Sequence, residues 1–429
     1  MADSTARFPV GIIAPAAPAS PVGVERVVLG HARGLVRAGF PVRLVTGMSG
    51  EAAGADFVVR TVPELSPAHP RVVSFHDAEA RARDAEAFEE CVQDVAQAIG
   101  RELTGCGSVF VHDLLTCDAN APAAEAIWRL AQGSRGVVAH GAPLRRWILF
   151  AHEAPPARAK STRRSKGEPP VSRASVRMPG ASYAAPSAAR QAALCKALRL
   201  KKSDVRVVPD GVDPMSFLGL TENVALLAKD FGLADAEFVM LTPARVLERK
   251  AISRGLQIVK AMVRARRRKK LAWLITAPQD SQTPSTRRVL DHVMVEREKL
   301  GLRDVVRILS RDDAWARPRV TDVDLHALFR LCDVLFLPST DASSGAAVVE
   351  GALARQVLVL GPAPALRELV TGKGDAVRLG ASEAPVAAAQ KILKAIESTG
   401  AWRLRRRVMG ELSWDAIARR HLVPLIEGA

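Results

Sequence analysis

The stretch from Asp333 to Gly351, DVLFLPSTDASSGAAVVEG, constrains the chain most. Its apolar run, Val334-Leu335-Phe336-Leu337, predicts a buried strand that stops at Pro338. A loop of small residues follows, Ser339 to Gly345, and a helix begins near Ala346 and carries Glu350 in its second turn. A strand that runs through a Ser/Gly loop into a helix N-terminus is a natural anion site, because free backbone N–H groups and the positive end of the helix dipole meet there. The same residues also fit a plain β-loop-α corner of an α/β sheet.

That corner recurs along the chain. Residues 8–14 predict a strand, 15–22 a Pro/Ala loop, and 23–38 a helix whose Val24, Val27, Val28, Leu35 and Val36 share one face. Gly39 ends the helix and 41–46 supplies a second strand. Strand, loop, helix, Gly stop and strand form a βαβ unit, so the sheet is expected to be parallel. Helices are expected at 78–99 and 121–132, with strands at 109–111, ending at His112-Asp113, and at 136–139, ending at His140. Pro209-Asp210-Gly211 marks a domain linker. A second series then places strands at 238–242, 271–276, 305–309, 334–337 and 357–360, with helices between them and a last helical stretch at 401–426. Two successive parallel-sheet domains imply a ligand cleft at the carboxyl ends of their strands.

Composition agrees. The 429 residues exceed one core and suit two α/β domains, and 48% hydrophobic residues can bury a large interior. The net charge of +16 suits an anionic partner, whether nucleotide, nucleic acid, acidic lipid or anionic glycan, and does not choose among them. Five scattered cysteines show no CxxC pair and no metal-ligand spacing, which fits reduced thiols in a cytosol. No apolar run approaches the roughly 18 residues of a membrane helix, and the N-terminus lacks the apolar core of a signal peptide. A cytoplasmic protein is expected, with peripheral contact to a membrane surface through its basic face.

Few residues announce chemistry. Arg245 and Lys250 leave the carboxyl end of the 238–242 strand, where a guanidinium and a compact ammonium can neutralise a diphosphate leaving group without a metal. Asp322-Val-Asp324 has the look of a metal-binding DxD but stands where a helix needs an N-cap. Thr371-Gly-Lys-Gly374 lacks P-loop spacing. The run RARRRKK (264–270) has no interleaved aromatics and fits a solvated helix end better than a specific nucleic-acid site. The basic, apolar-poor loop at about 154–180 is either a solvated insertion or a contact for an anionic acceptor or membrane.

Four blocks, PVGVERVVLGHARGLVRAGFPVRLVTG, VRVVPDGVDPMSFLGL, LTPARVLERKAI and DVLFLPSTDASSGAAVVEGALARQVLVL, resemble family 4 glycosyltransferases (glycosyl transferases group 1) in order and spacing, over nearly the whole chain. The resemblance implies an α/β GT-B fold, two Rossmann-like domains with parallel sheets facing across a cleft. It implies an acceptor domain at 1–210, a nucleotide-sugar donor domain at 211–400, and a C-terminal helix at 401–429 that crosses back to the first. A retaining, hexosyl-type enzyme follows, metal-independent and without other cofactor, that takes a nucleoside-diphosphate sugar.

By position, the resemblance gives Arg245 and Lys250 the donor phosphates and the leaving charge, and Glu350 the ribose. Ser343, Ser344, Gly345 and Ala346 form the loop whose amides meet phosphate and sugar. Gly23 and Val24 form a glycine loop at the cleft, His112 is a catalytic histidine facing it, and His140 lies on the acceptor side. An anionic glycan and a lipid both remain open as acceptor. The chain departs from the family pattern at Ala342, where the first of two glutamates is usual, at Ser343-Ser344-Gly345 for Gly-Phe-Gly, at Ala142-Pro143 for His-Asp, and at Val22 for Gly. The alternative is a weak or inactive GT-B protein that binds nucleotide sugar or serves as a partner subunit.

Overall fold

The computed structural model describes residues 7–15, 23–48, 56–75, 77–116, 119–133, 145–153, 173, 176–244, 246–266, 270–276, 284–309, 321–341, 345–368, 370–372 and 374–428. The chain forms two compact units, Met1–Val212 with Glu411–Ala429, and Asp213–Gly410.

The first unit is built on a sheet of seven strands: β1 (Val10–Ala14), β2 (Val42–Thr46), β3 (Val58–Thr61), β4 (Ser108–His112), β5 (Arg146–Phe150), β6 (Ser182–Ala185) and β7 (Val205–Val207). Their order is β3-β2-β1-β4-β5-β6-β7, and every pairing is parallel. Alternate residues serve two cores. On β1, Ile13 packs with the layer that includes Val92 and Ile127, while Val10, Ile12 and Ala14 face the helix Val24–Arg37 and Trp414.

The second unit repeats the plan with β8 (Phe238–Thr242), β9 (Leu271–Ile275), β10 (Val306–Ile308), β11 (Val334–Leu337), β12 (Val357–Leu360) and β13 (Val377–Arg378). The order β10-β9-β8-β11-β12-β13 is again all parallel. On β8, Phe238 and Met240 enter one core while Val239 and Leu241 enter the other. Both sheets have Rossmann strand order, so each half is the α/β unit of which a GT-B chain is made. Each sheet reverses direction once, between β1 and β4 and between β8 and β11, and in open α/β sheets ligands bind outside the carboxyl ends at that switch point.

Some elements differ from expectation. β3, β5 and β13 were not anticipated, whereas the strand expected at 136–139 lies outside the described residues, as does most of the basic loop at about 154–180. The helix expected over 78–99 is two helices, Ala78–Arg83 and Ala85–Glu102, broken at Asp84 (φ −112, ψ 52). The final stretch is likewise broken. Gly400–Glu411 ends before Ser413, whose hydroxyl caps a new helix, Trp414–Ile417, by accepting from the Ala416 N–H. On the first side of that break, Arg406 forms a buried ion pair with Asp333, which also accepts the Val239 N–H at 2.8 Å. On the other side, a backbone bridge joins Val212 to Ser413. Among the described residues no helix is long and apolar enough to cross a membrane.

Candidate functional site

In the second unit the switch point brings together the exits of β8 and β11. Trp273 donates its indole N–H to the Thr242 hydroxyl at 2.8 Å, and that hydroxyl donates to the Phe336 carbonyl, which ties the two strand ends side by side. Gly255, one turn into the helix Ile252–Ala265, has no room for a Cβ against Trp273, Phe336 and Pro338, so this helix starts hard against β11.

The chain leaving β8 forms a short 3-10 turn, Glu248–Lys250, and then the left-handed residue Ala251 (φ 51, ψ 39). The Arg249 carbonyl at the centre of that turn accepts the Thr340 N–H at 3.0 Å, the Thr340 hydroxyl at 3.2 Å and the Asp341 N–H at 3.4 Å. The turn that carries Lys250 and the loop leaving β11 are thus one bonded assembly. The loop leads to Gly345, the N-cap of the helix Ala346–Leu353, where no side chain caps the first turn. Glu350, half-buried, lies farther along this helix.

Lys250 is half-buried, and among the described residues no carboxylate forms an ion pair with it. Burial lowers its ammonium below the usual lysine range, Arg249 lowers it further, and Asp341 opposes. A half-buried ammonium attracts a phosphate more strongly than one in bulk water, and free amides at a helix start also favour an anion. Arg245, Ser343 and Ser344 lie outside the described residues, as does Ala342.

The DxD look-alike resolves as structure. Thr321 caps the helix Asp322–Leu331 and Asp324 closes the capping box, while also accepting from Asn223 at 3.3 Å. Among the described residues no group of three or more His, Cys, Asp or Glu is arranged to hold a metal ion.

The first unit's switch point holds a cluster of imidazoles. His112 ends β4 and His152 follows β5, so the parallel register sets them side by side, with Nδ1 of His112 at 3.0 Å from Nε2 of His152. Phe150 stacks on both rings, at 5.1 and 4.6 Å between centroids. His31, from the helix Val24–Arg37, lies 5.4 Å from His112 and meets Trp414 edge-on at 5.7 Å. Asp113 bends the chain outward (φ 58), and its Oδ1 accepts the His152 N–H at 2.9 Å.

His112, expected to face the cleft, is fully buried. Its ring packs against both Phe150 and His31, and the half-buried imidazole at the strand ends is that of His152. Sequence reasoning missed His152. The available signal was the apolar run RWILF, which ends two residues before it as SVFVH ends at His112.

Burial pushes His31 down to about 3, helped by His152, and takes His112 well below the usual imidazole range. It lowers His152 to about 4, with Asp210 and Glu25 raising it and Arg190 lowering it. Burial also raises the Asp113 carboxyl to about 6 against the hydrogen bonds it accepts. At neutral pH the three rings are therefore uncharged. Gly23 stands at the N-terminus of the Val24–Arg37 helix with φ 89, next to Val24 and Glu25. His140, Ala142, Pro143 and Val22 lie outside the described residues.

No family model and no curated protein matches the chain. Among solved structures, a glycosyltransferase from Rickettsia africae aligns over 98% of each chain at 12% identity with a TM-score of 0.37. A sucrose-phosphate synthase from Thermosynechococcus elongatus covers 99% of this chain and 100% of its own at 16% identity, TM-score 0.37. Anabaena HepE, solved with UDP and glucose, aligns over 98% of each chain at 14% identity, TM-score 0.33. At such identities and scores these likenesses assign no substrate and no residue role.

Proposed function

We propose that this chain is a retaining GT-B glycosyltransferase that moves a sugar from a nucleoside-diphosphate sugar to a hydroxyl-bearing acceptor. One observation carries the reading. The turn that carries Lys250 and the loop leaving β11 are held together through the Arg249 carbonyl, so a cation with no ion-pair partner among the described residues shares one bonded assembly with the segment that leads to Gly345, whose helix has no side-chain cap.

In this reading Lys250, with Arg245, takes up charge as the sugar C1–O bond to the diphosphate breaks. Amides from Ser343 to Ala346 hold the phosphate and sugar, and Glu350 accepts from ribose hydroxyls. The acceptor oxygen bonds to C1 on the face the phosphate leaves, and its proton passes to a phosphate oxygen. No protein nucleophile is needed, which removes one demand that Ala342 would fail to meet. Gly23, Val24 and His152 serve the acceptor side, with His112 behind His152.

A thermal-shift series with UDP, GDP and ADP tests the donor half. A nucleotide at 100 times its Kd stabilises the folded unit by about 2.7 kcal/mol, a rise of roughly 5–10 °C for a domain of this size. Lys250→Ala is expected to abolish the shift and to lower kcat/KM about 100- to 1,000-fold. Absence of a shift with every nucleotide would sink the proposal. A shift that depends on Lys250, without transfer or donor hydrolysis, would turn it to the partner-subunit reading.

A further inference from the structure

The histidine cluster carries six ring nitrogens. Both nitrogens of His31 and Nε2 of His112 are buried without a hydrogen-bond partner among the described residues. Nδ1 of His112 and Nε2 of His152 face each other. The sixth is Nδ1 of His152, the one ring of the three that is only half-buried.

One proton lies between the two facing nitrogens, and its owner decides the character of the sixth. If His152 donated from Nε2, neutral His112 would carry its own proton on Nε2 and bury an N–H with no acceptor. Orphaned buried N–H groups are rare in folded proteins. The outer Nδ1 of His152 would then be a bare lone pair in the field of Asp210 and Glu25, which outnumber Arg190 among the charges acting on this ring. If His112 donates from Nδ1 instead, the orphaned N–H at its Nε2 becomes an orphaned acceptor, the more tolerated of the two, and the second penalty disappears: His152 accepts at Nε2 and carries its proton on Nδ1, in the field of the carboxylates. The remaining groups against the ring do not oppose this. Asp113 is engaged by backbone N–H groups of His152 and Glu153, Phe150 is apolar, and His31 is uncharged.

We propose that His112 is a positioning residue that fixes His152 as the Nδ1–H tautomer, so that His152 meets its ligand as a hydrogen-bond donor and not as a general base. The group it takes is an oxygen with a free lone pair, such as a sugar hydroxyl oxygen. Only that ligand assignment rests on the glycosyltransferase reading; the tautomer does not.

Nitrogen-15 NMR of histidine-labelled protein at pH 7 reads which ring nitrogen is protonated. His152 is expected at least tenfold in favour of Nδ1–H in the wild type. In His112→Phe, which keeps the stack on Phe150 and removes the nitrogen, the preference is expected to fall toward that of a free histidine side chain, where Nε2–H is favoured. His112→Asn, whose amide nitrogen replaces Nδ1, is expected to restore it. Nε2–H at His152 in the wild type, or an unchanged ratio in His112→Phe, overturns the proposal. If the Phe variant does not fold, the wild-type and Asn spectra still decide. A protein that shows no nucleotide binding or turnover leaves these spectra as they are, so the failure of either reading is told from the other.

Discussion

Ala251 holds the backbone geometry on which Lys250 depends. An L-residue in the left-handed region costs about 1–2 kcal/mol, and such cost persists where the surroundings over-determine the conformation. The surroundings here are the three hydrogen bonds to the Arg249 carbonyl and the helix start at Ile252. Ala251→Gly would relieve the strain and give back about 0.4–1 kcal/mol through the freer unfolded chain. A net gain of about 0.5–1 kcal/mol is expected, with weaker nucleotide binding because the turn loosens. Calorimetry that shows a lower Tm for Ala251→Gly would refute the strain. At this scale Lys250 was legible from its spacing after a strand. The exchange of His112 for His152 was not, because only strand pairing shows which of two strand-end rings is covered.

At the scale of elements, the segment Glu411–Ala429 is the clearest case of tertiary control. Trp414 packs its indole on Gly30 and Gly211, where a Cβ on either glycine would overlap the ring. Arg37 also pairs with Asp415. Trp414 thereby backs His31, and His31 backs His112. Gly30→Ala is expected to cost about 1–3 kcal/mol by pushing Trp414 off the helix. Because Trp414→Ala removes the clashing ring, the double variant should cost well under the sum of the singles. Denaturant melts of the four proteins measure this, and strict additivity would show that the contact is not what constrains Gly30. The bare sequence showed an amphipathic helix at 23–38 but could not show which later residue would occupy the notch at Gly30. β3 escaped notice for a related reason: Val58–Thr61 is a short, largely exposed edge strand, with no apolar face to betray it.

For the whole molecule, the buried imidazoles predict acid sensitivity. Their folded-state pKa values, about 3 for His31, about 4 for His152 and well below normal for His112, lie under the roughly 6.5 of an unfolded chain. As pH falls below 6.5 the unfolded state binds protons that the folded unit refuses, so stability present at pH 7 is lost on the way to pH 4. Asp113 runs the other way. Its carboxyl at about 6 binds a proton in the folded state before the unfolded one does, which cancels one of the three between pH 6 and 4. Asp210, whose carboxyl burial also raises, opposes the imidazoles in the same way as Asp113, while the lowered His421 acts with them, so the expected net effect is a loss of stability as the pH falls. Urea melts at pH 7, 6 and 5 should show the midpoint falling; a midpoint independent of pH would refute it. The sequence by itself determined the alternation of strands and helices, the break near residue 210 and the placement of Lys250 and Glu350 beside strand exits. Those follow from local periodicity, Gly and Pro punctuation and distance along the chain. Tertiary structure alone decided strand order, and with it the two switch points. It also decided that Thr340 and Asp341 bond to the Arg249 carbonyl, and that His152 stands in front of His112. These last contacts join residues at least 40 positions apart in the sequence, and only the packing of a common core brings such residues together.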